Sequence, residues 1–158
     1  MISLNFLNDG NNKTLNEFHN LTDGKIILGG SSVLKFHGII DRKVGNLNLA
    51  LNHSDVEYFE RIRETCEFTF ISKQDYGLKN KTYWFKKNDL NGVLFLCDDL
   101  EYDIVNFENI ELRIAKIMNV KYNKEEMIKN GDSNSLKHHK DVELINKFYG
   151  IEPKKNII

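Results

Sequence analysis

This chain of 158 residues has one proline, two cysteines, one tryptophan and almost no net charge, with 22 basic against 23 acidic side chains. A formal charge of −1 gives no global basic field of the kind that announces a nucleic-acid partner. Cys66 and Cys97 lie far apart and make no metal-ligand spacing, so a reducing, intracellular setting with inert core thiols is expected. The longest apolar run, "GVLFLC", suits a buried strand and falls far short of a bilayer span, so no membrane is expected. The start, "MISLNFLNDGNNK", has no basic cluster before an apolar core, which argues against a secretory signal and for a cytoplasmic or phage-associated protein. Scarce proline beside abundant Asn, Lys and Ile fits an AT-rich genome, that of a low-GC bacterium or its phage. In such a background a single asparagine carries little meaning.

The length fits one domain with a real core, residues 1–150, followed by a tail, 151–158, that is loose or docked on a partner. "KTLNEFHNLTDG" has Leu15, Phe18 and Leu21 at helical spacing. "KIILGG" reads as a short buried strand, and "SSVLKFHGII" as a helix presenting Val33, Phe36, His37 and Ile40 on one face. "NLNLALN" alternates, with Leu47, Leu49 and Leu51 on one side and Asn46, Asn48 and Ala50 on the other. "SDVEYFERIRETC" opens with a capping box, Ser54 and Glu57, and should turn Val56, Phe59 and Ile62 inward. Strands "EFTFIS", "KTYWFKK" and "GVLFLCD" follow, joined by the turn segments "DYGLKN" and "NDLNG". "FENIELRIAKIMNV" is expected as a helix with Ile110, Ile114, Ile117 and Met118 inward, then a polar linker, "KYNKEEMIKNGDSNS". The last helix, "LKHHKDVELINKFYG", ends at Gly150. Helices before and between strands argue an α+β class, a mixed β-sheet with helices packed against it.

Residues 27–51 carry the chemistry. A strand ending in Gly29-Gly30-Ser31 and turning straight into a helix lets backbone approach a ligand and offers free N–H groups to a phosphate. On the following strand Asn46 and Asn48 point the same way, about 6.5–7 Å apart. Two carboxylates so placed could share divalent metals that align a triphosphate and activate a hydroxyl.

Gly-Gly-Ser, a helix and an acidic-x-acidic strand form the motif of the nucleotidyltransferase superfamily, which this sequence resembles. The likeness is strongest to the small bacterial and phage members related to abortive-infection and minimal nucleotidyltransferase proteins. It implies a nucleotidyltransferase-like fold, with Gly29, Gly30 and Ser31 as the phosphate turn. It also implies that Arg42 matches an arginine ahead of the acidic pair, and that Lys116 is the inward lysine of a later helix. Lys140 and Asp141 match the basic residue and aspartate of the family's closing helix.

The departures fall on the catalytic positions. Asn46 and Asn48 occupy both carboxylate positions, Val44 replaces a small hydroxyl residue, and "GVLFLC" has no acid where a third carboxylate belongs. Asp98 and Asp99 lie at its end. Magnesium is a hard cation that prefers carboxylates and phosphates. Two unit charges about 4 Å apart interact by about 4 kcal/mol at an effective dielectric of about 20, so losing two of them is severe. An amide also lacks the basicity to take a proton from an attacking hydroxyl.

Three functions fit this pattern. The first is a pseudoenzyme acting as a binding or structural component, phage-encoded or part of a defence or toxin–antitoxin system, with no cofactor and with a protein partner at the cleft or tail, or a nucleotide or tRNA, as its ligand. The second is a metal-dependent enzyme that modifies tRNA or protein, seen in a silenced Asp-to-Asn form, with Mg bound only if the carboxylates are restored. The third is an assembly subunit with no ligand. Other residues read more plainly. His37 is expected as a packed core histidine. His138 and His139, being adjacent, diverge on a helix. Tyr83 and Trp84, near Lys81, Lys86 and Lys87, fit either an RNA-facing strand or an ordinary one.

Overall fold

A computed structural model describes residues 1–75, 79–131 and 135–151, without the side chains of 71–80. The tail expectation therefore falls, beyond Ile151, outside the described residues, as does the tip of the "DYGLKN" turn. The helices are α1 (Asp9–Leu21), α2 (Ser31–Phe36), α3 (Phe59–Arg63), α4 (Ile117–Lys129) and α5 (Ser135–Phe148). The strands are β1 (Ile27–Leu28), β2 (Leu47–Asn52), β3 (Phe68–Asp75), β4 (Lys79–Lys87), β5 (Leu90–Cys97), β6 (Tyr102–Phe107) and β7 (Ile110–Ala115). They form one mixed sheet in the order β3-β4-β5-β2-β1-β7-β6. β1/β7 and β2/β5 are parallel, and the other pairs are antiparallel. The α+β expectation holds.

Alternation drives the central strand. Leu47, Leu49 and Leu51 are fully buried, and burying each such side chain stabilises the fold by about 1.5–3 kcal/mol. An aromatic cluster joins α1 and α3 to the sheet: Phe18 lies 5.4 Å from Phe85, and Phe59 lies 5.4 Å from Phe68. Gly92 makes room for it, since a Cβ there would stand 2.2 Å from the Phe85 ring.

Several asparagines prove to be structural. Asn8 caps α1, its Oδ1 accepting from the Asn11 N–H at 2.8 Å. Asn12 and Asn16 pin the N-terminal segment by bonding the backbone of Leu4 and Ile2. Asn52 ties β2 to the turn after β5, donating to the Leu100 carbonyl at 3.2 Å and accepting its N–H at 2.7 Å.

Four expectations are corrected. "FENIELRIAKIMNV" is not a helix: it supplies the end of β6, the turn and β7, with α4 beginning at Ile117. Leu112 and Ile114 point inward with period two, and Met118 is exposed. The "linker" that follows is mostly the continuation of α4. The Ser54/Glu57 capping box does not form, because residues His53–Tyr58 make a 3-10 turn with no side-chain cap, and Val56 faces solvent. Phe59 and Ile62 are buried as expected. Finally, α2 stops at Phe36, so His37 closes the helix and Ile40 lies beyond it.

Candidate active-site cleft

A cavity of about 210 Å³ opens between the sheet and the α4–α5 pair. One wall comes from the conspicuous stretch of sequence: Gly29, Gly30, Ser31, Arg42, Asn46 and Asn48 all line it. Phe95 and Cys97 of β5 contribute from the neighbouring parallel strand, and Leu100 from the turn beyond. Across from them α4 presents Asn119, Asn123 and Lys124, while α5 presents Lys137 and His138.

The glycine turn is required by contact with the strand. The Gly29 N–H donates to the Asn48 carbonyl at 2.9 Å, drawing the turn onto β2. Gly30 has φ 60° and ψ −148°, a region closed to side chains, and a Cβ there would stand 2.2 Å from Asn48 Nδ2. Asn48 is thus half-buried against Gly30, while Asn46, just before β2, is exposed. Because α2 has only six residues, its N-terminal dipole offers little to a ligand.

The cations matter more. Arg42 reaches back from the α2–β2 connection. Its Nη2 donates to Ser31 Oγ at 3.1 Å and to Asp141 Oδ2 at 2.5 Å. Lys124 Nζ meets the same carboxylate oxygen at 2.8 Å and Ser31 Oγ at 3.4 Å. Asp141 and Lys124 are both buried, and two cations therefore share one anion. Arg42 also keeps Nε and Nη1 buried with no hydrogen-bond partner among the described residues, as does Asn123 Oδ1. Buried donors in that state are costly unless something binds them. Burial pulls Asp141 toward its neutral form, yet the hydrogen bonds from Lys124 and Arg42 prevail and hold its carboxyl below the usual range. Burial pushes the Lys124 ammonium below its ordinary value, and its bond to Asp141 offsets this only in part.

Not every sequence candidate arrives here. Lys116 lies outside the cleft at the N-cap of α4, exposed and bonded to Asp103 at 2.7 Å. It caps α4 and does not point inward from a helix; the buried lysine of α4 is Lys124, eight residues on. Lys140 lines a separate groove beside Leu136 and Leu144. His37 stacks edge-on against Phe36 away from the cleft. Trp84 is exposed on β4 and lies outside the cleft lining. The residues that sequence reasoning missed are Asn119, Asn123, Lys124 and Lys137. Their one signal was the helical spacing of Ile117, Val120 and Lys124, hidden by a lysine at an inward position.

The donor set does not suit the divalent metals that nucleotidyl transfer employs. Among the described residues no carboxylate lines the cleft, and the cleft side of β5 offers Phe95 and Cys97. Asp98 and Asp99 are exposed on the turn beyond, with Asp98 3.6 Å from His53. Asp141 already serves Arg42 and Lys124. Among the described residues no three His, Cys, Asp or Glu side chains cluster as metal ligands, and no helix is long and apolar enough to cross a membrane.

No protein-family model matches this chain, and no curated protein matches it by sequence. Its backbone does match solved structures. ANT(2'')-Ia in complex with adenylyl-2''-tobramycin aligns with a TM-score of 0.59 at 12% identity, covering 87% of this chain and 88% of that one. A Thermotoga maritima protein provisionally assigned as a nucleotidyltransferase gives 0.50 at 8%, covering 89% and 95%. JHP933 from Helicobacter pylori gives 0.51 at 18%, covering 94% and 69%. The sheet and its helices thus have a nucleotidyltransferase-like fold.

Proposed function

We propose that this chain is a nucleotidyltransferase-fold pseudoenzyme that binds a nucleotide in its cleft and does not transfer it. One observation carries this reading: among the described residues the polar side chains that line the cleft include cations and amides and no carboxylate. A triphosphate is attracted to such a surface, whereas metal-assisted attack on its α-phosphorus has no ligands to organise it. ANT(2'')-Ia, with adenylylated tobramycin in its structure, has the same fold, and this supports a nucleotide as the ligand.

The extent of the loss favours natural degeneracy over deliberate silencing. Two Asp→Asn changes would leave a third acid in place. Here the strand parallel to β2 also lacks one on its cleft side, where Phe95 and Cys97 stand. The bound state would serve a partner, as in a phage or defence-system component.

The test is transfer of labelled nucleotide from each triphosphate, with magnesium or manganese, onto total tRNA and onto the protein itself. The chain is run beside an Asn46→Asp/Asn48→Asp version. Silence in both is expected. Label only in the Asp version would replace this reading with that of a metal-dependent enzyme in silenced form. Label from the chain as it stands would sink it outright.

A further inference from the structure

The charge arrangement of the cleft carries one step more, resting on the nucleotide-binding reading. We infer that the cleft takes its nucleoside triphosphate without a divalent metal, with Arg42, Lys124 and Lys137 supplying the positive charge that a metal-built site takes from its cations.

Four observations converge. The residues at the two motif positions are neutral, so nothing at Asn46 or Asn48 repels a bare polyphosphate or needs a cation as intermediary. In an acidic version of this cleft the metal would bridge two like charges, protein carboxylate and phosphate. In this one there is nothing on the protein side to bridge. Second, Arg42, Lys124 and Lys137 face the space, and Asp141, the acid bonded to Arg42 and Lys124, offsets only one of the three charges. Third, Arg42 lines the cavity of about 210 Å³ and holds two buried nitrogens, Nε and Nη1, with no partner among the described residues. Phosphate oxygens satisfy such donors better than water does, through charge-assisted hydrogen bonds. Fourth, Lys124 is buried and fixed by Asp141 and Ser31, so its charge is placed before any ligand arrives.

Magnesium is then a competitor. Bound to the triphosphate, it cancels two of the ligand's negative charges and occupies oxygens that Arg42 and the lysines would contact. It gains no protein ligand in return, since it gives up its water reluctantly and finds only amides. The restored-carboxylate chain should behave in the opposite way, because two acids facing a polyphosphate repel it until a metal intervenes.

Calorimetric titration of each of the four nucleoside triphosphates, in EDTA and in excess magnesium, tests this. At least one triphosphate should bind about threefold or more tightly in EDTA, a margin kept modest by ionic screening. Lys137→Glu, on an exposed α5 position, should weaken binding in EDTA about tenfold, a loss of about 1.4 kcal/mol, without moving the melting temperature. Asn46→Asp/Asn48→Asp should invert the preference, so that magnesium helps. Binding that requires magnesium in the unmodified chain would overturn the metal-free inference while leaving nucleotide binding intact. Unchanged affinity in Lys137→Glu would also overturn it. No binding of any triphosphate in either buffer would overturn both this inference and the reading beneath it.

Discussion

Replacing Asp141 by Asn isolates the element on which the cleft depends. The carboxylate accepts from Arg42 at 2.5 Å and from Lys124 at 2.8 Å, and its side chain is 2% exposed. Asparagine keeps the shape and one acceptor but removes the charge, leaving two neighbouring cations, one of them buried, without a counter-ion. Removing one partner of a buried pair costs about 3–5 kcal/mol. The retained acceptor places Asp141→Asn at the lower end, about 3 kcal/mol, which for a chain of this size lowers the melting temperature by about 6–12 °C. The pH dependence distinguishes this cause from simple misfit. Lys124 already has a depressed pKa from burial, and without Asp141 it falls further. An ammonium whose folded pKa lies below its unfolded value weakens the fold while protonated. That penalty lifts as pH rises from the folded toward the unfolded value. The variant's Lys124 loses its proton first, so the stability gap should narrow as pH rises toward the ordinary lysine value. In strong acid the gap closes for the opposite reason. Asp141 has a depressed pKa, so the parent loses its contribution as pH falls through that folded value. Urea melts of both chains across that range are the assay. A loss below about 1 kcal/mol, or a gap indifferent to pH, would refute the account of a shared buried anion.

Gly30→Ala should destabilise by about 2–3 kcal/mol, since it forces a side chain into a glycine-only region and onto Asn48. Adding Asn48→Ala removes the contacts with Nδ2 and Cγ but leaves a Cβ at 2.9 Å and the backbone strain, so denaturant melts should show the double variant less damaged than the sum of the singles. Cys97 lines the cleft, and burial, with a smaller effect of Asp98, pushes its thiol up to about 12. It should therefore resist alkylation at about pH 8 until the chain unfolds, as mass spectrometry after timed iodoacetamide exposure would report. Labelling in the folded chain as fast as that of half-buried Cys66 would contradict the packing described.

The sequence is legible where one short segment makes its own structure, and illegible where distant segments complete one another. Residues 27–51 form β1, the glycine turn, α2 and β2 in one pass, and the six candidates within them meet in a single cleft. The hairpin of β6 and β7 defeated the same reading for a local reason. Its two turn residues, Glu108 and Asn109, both take positive φ, the backbone of a tight hairpin turn, without the glycine that usually marks one. With that mark missing, Ile110, Ile114, Ile117 and Met118 happen to fall at helical spacing and suggest a helix across a turn, a strand and a helix start. The break also displaced the expected lysine from 124 to 116.

The second half of the cleft was hidden more deeply. Lys124 looks like one of many lysines in a polar stretch. What gives it meaning is burial beside Asp141, which arrives from another helix, and beside Arg42, which arrives from another part of the chain. A lysine at the inward position of an amphipathic helix weakens the apolar periodicity that would have revealed the helix. The feature that builds the site therefore erases its own signal. For that reason Asn46 and Asn48 read as a loss when taken alone. With Arg42, Lys124 and Lys137 in place around them, the same two amides add no negative charge to the cleft, which is what the proposed binding of an anion without a metal calls for.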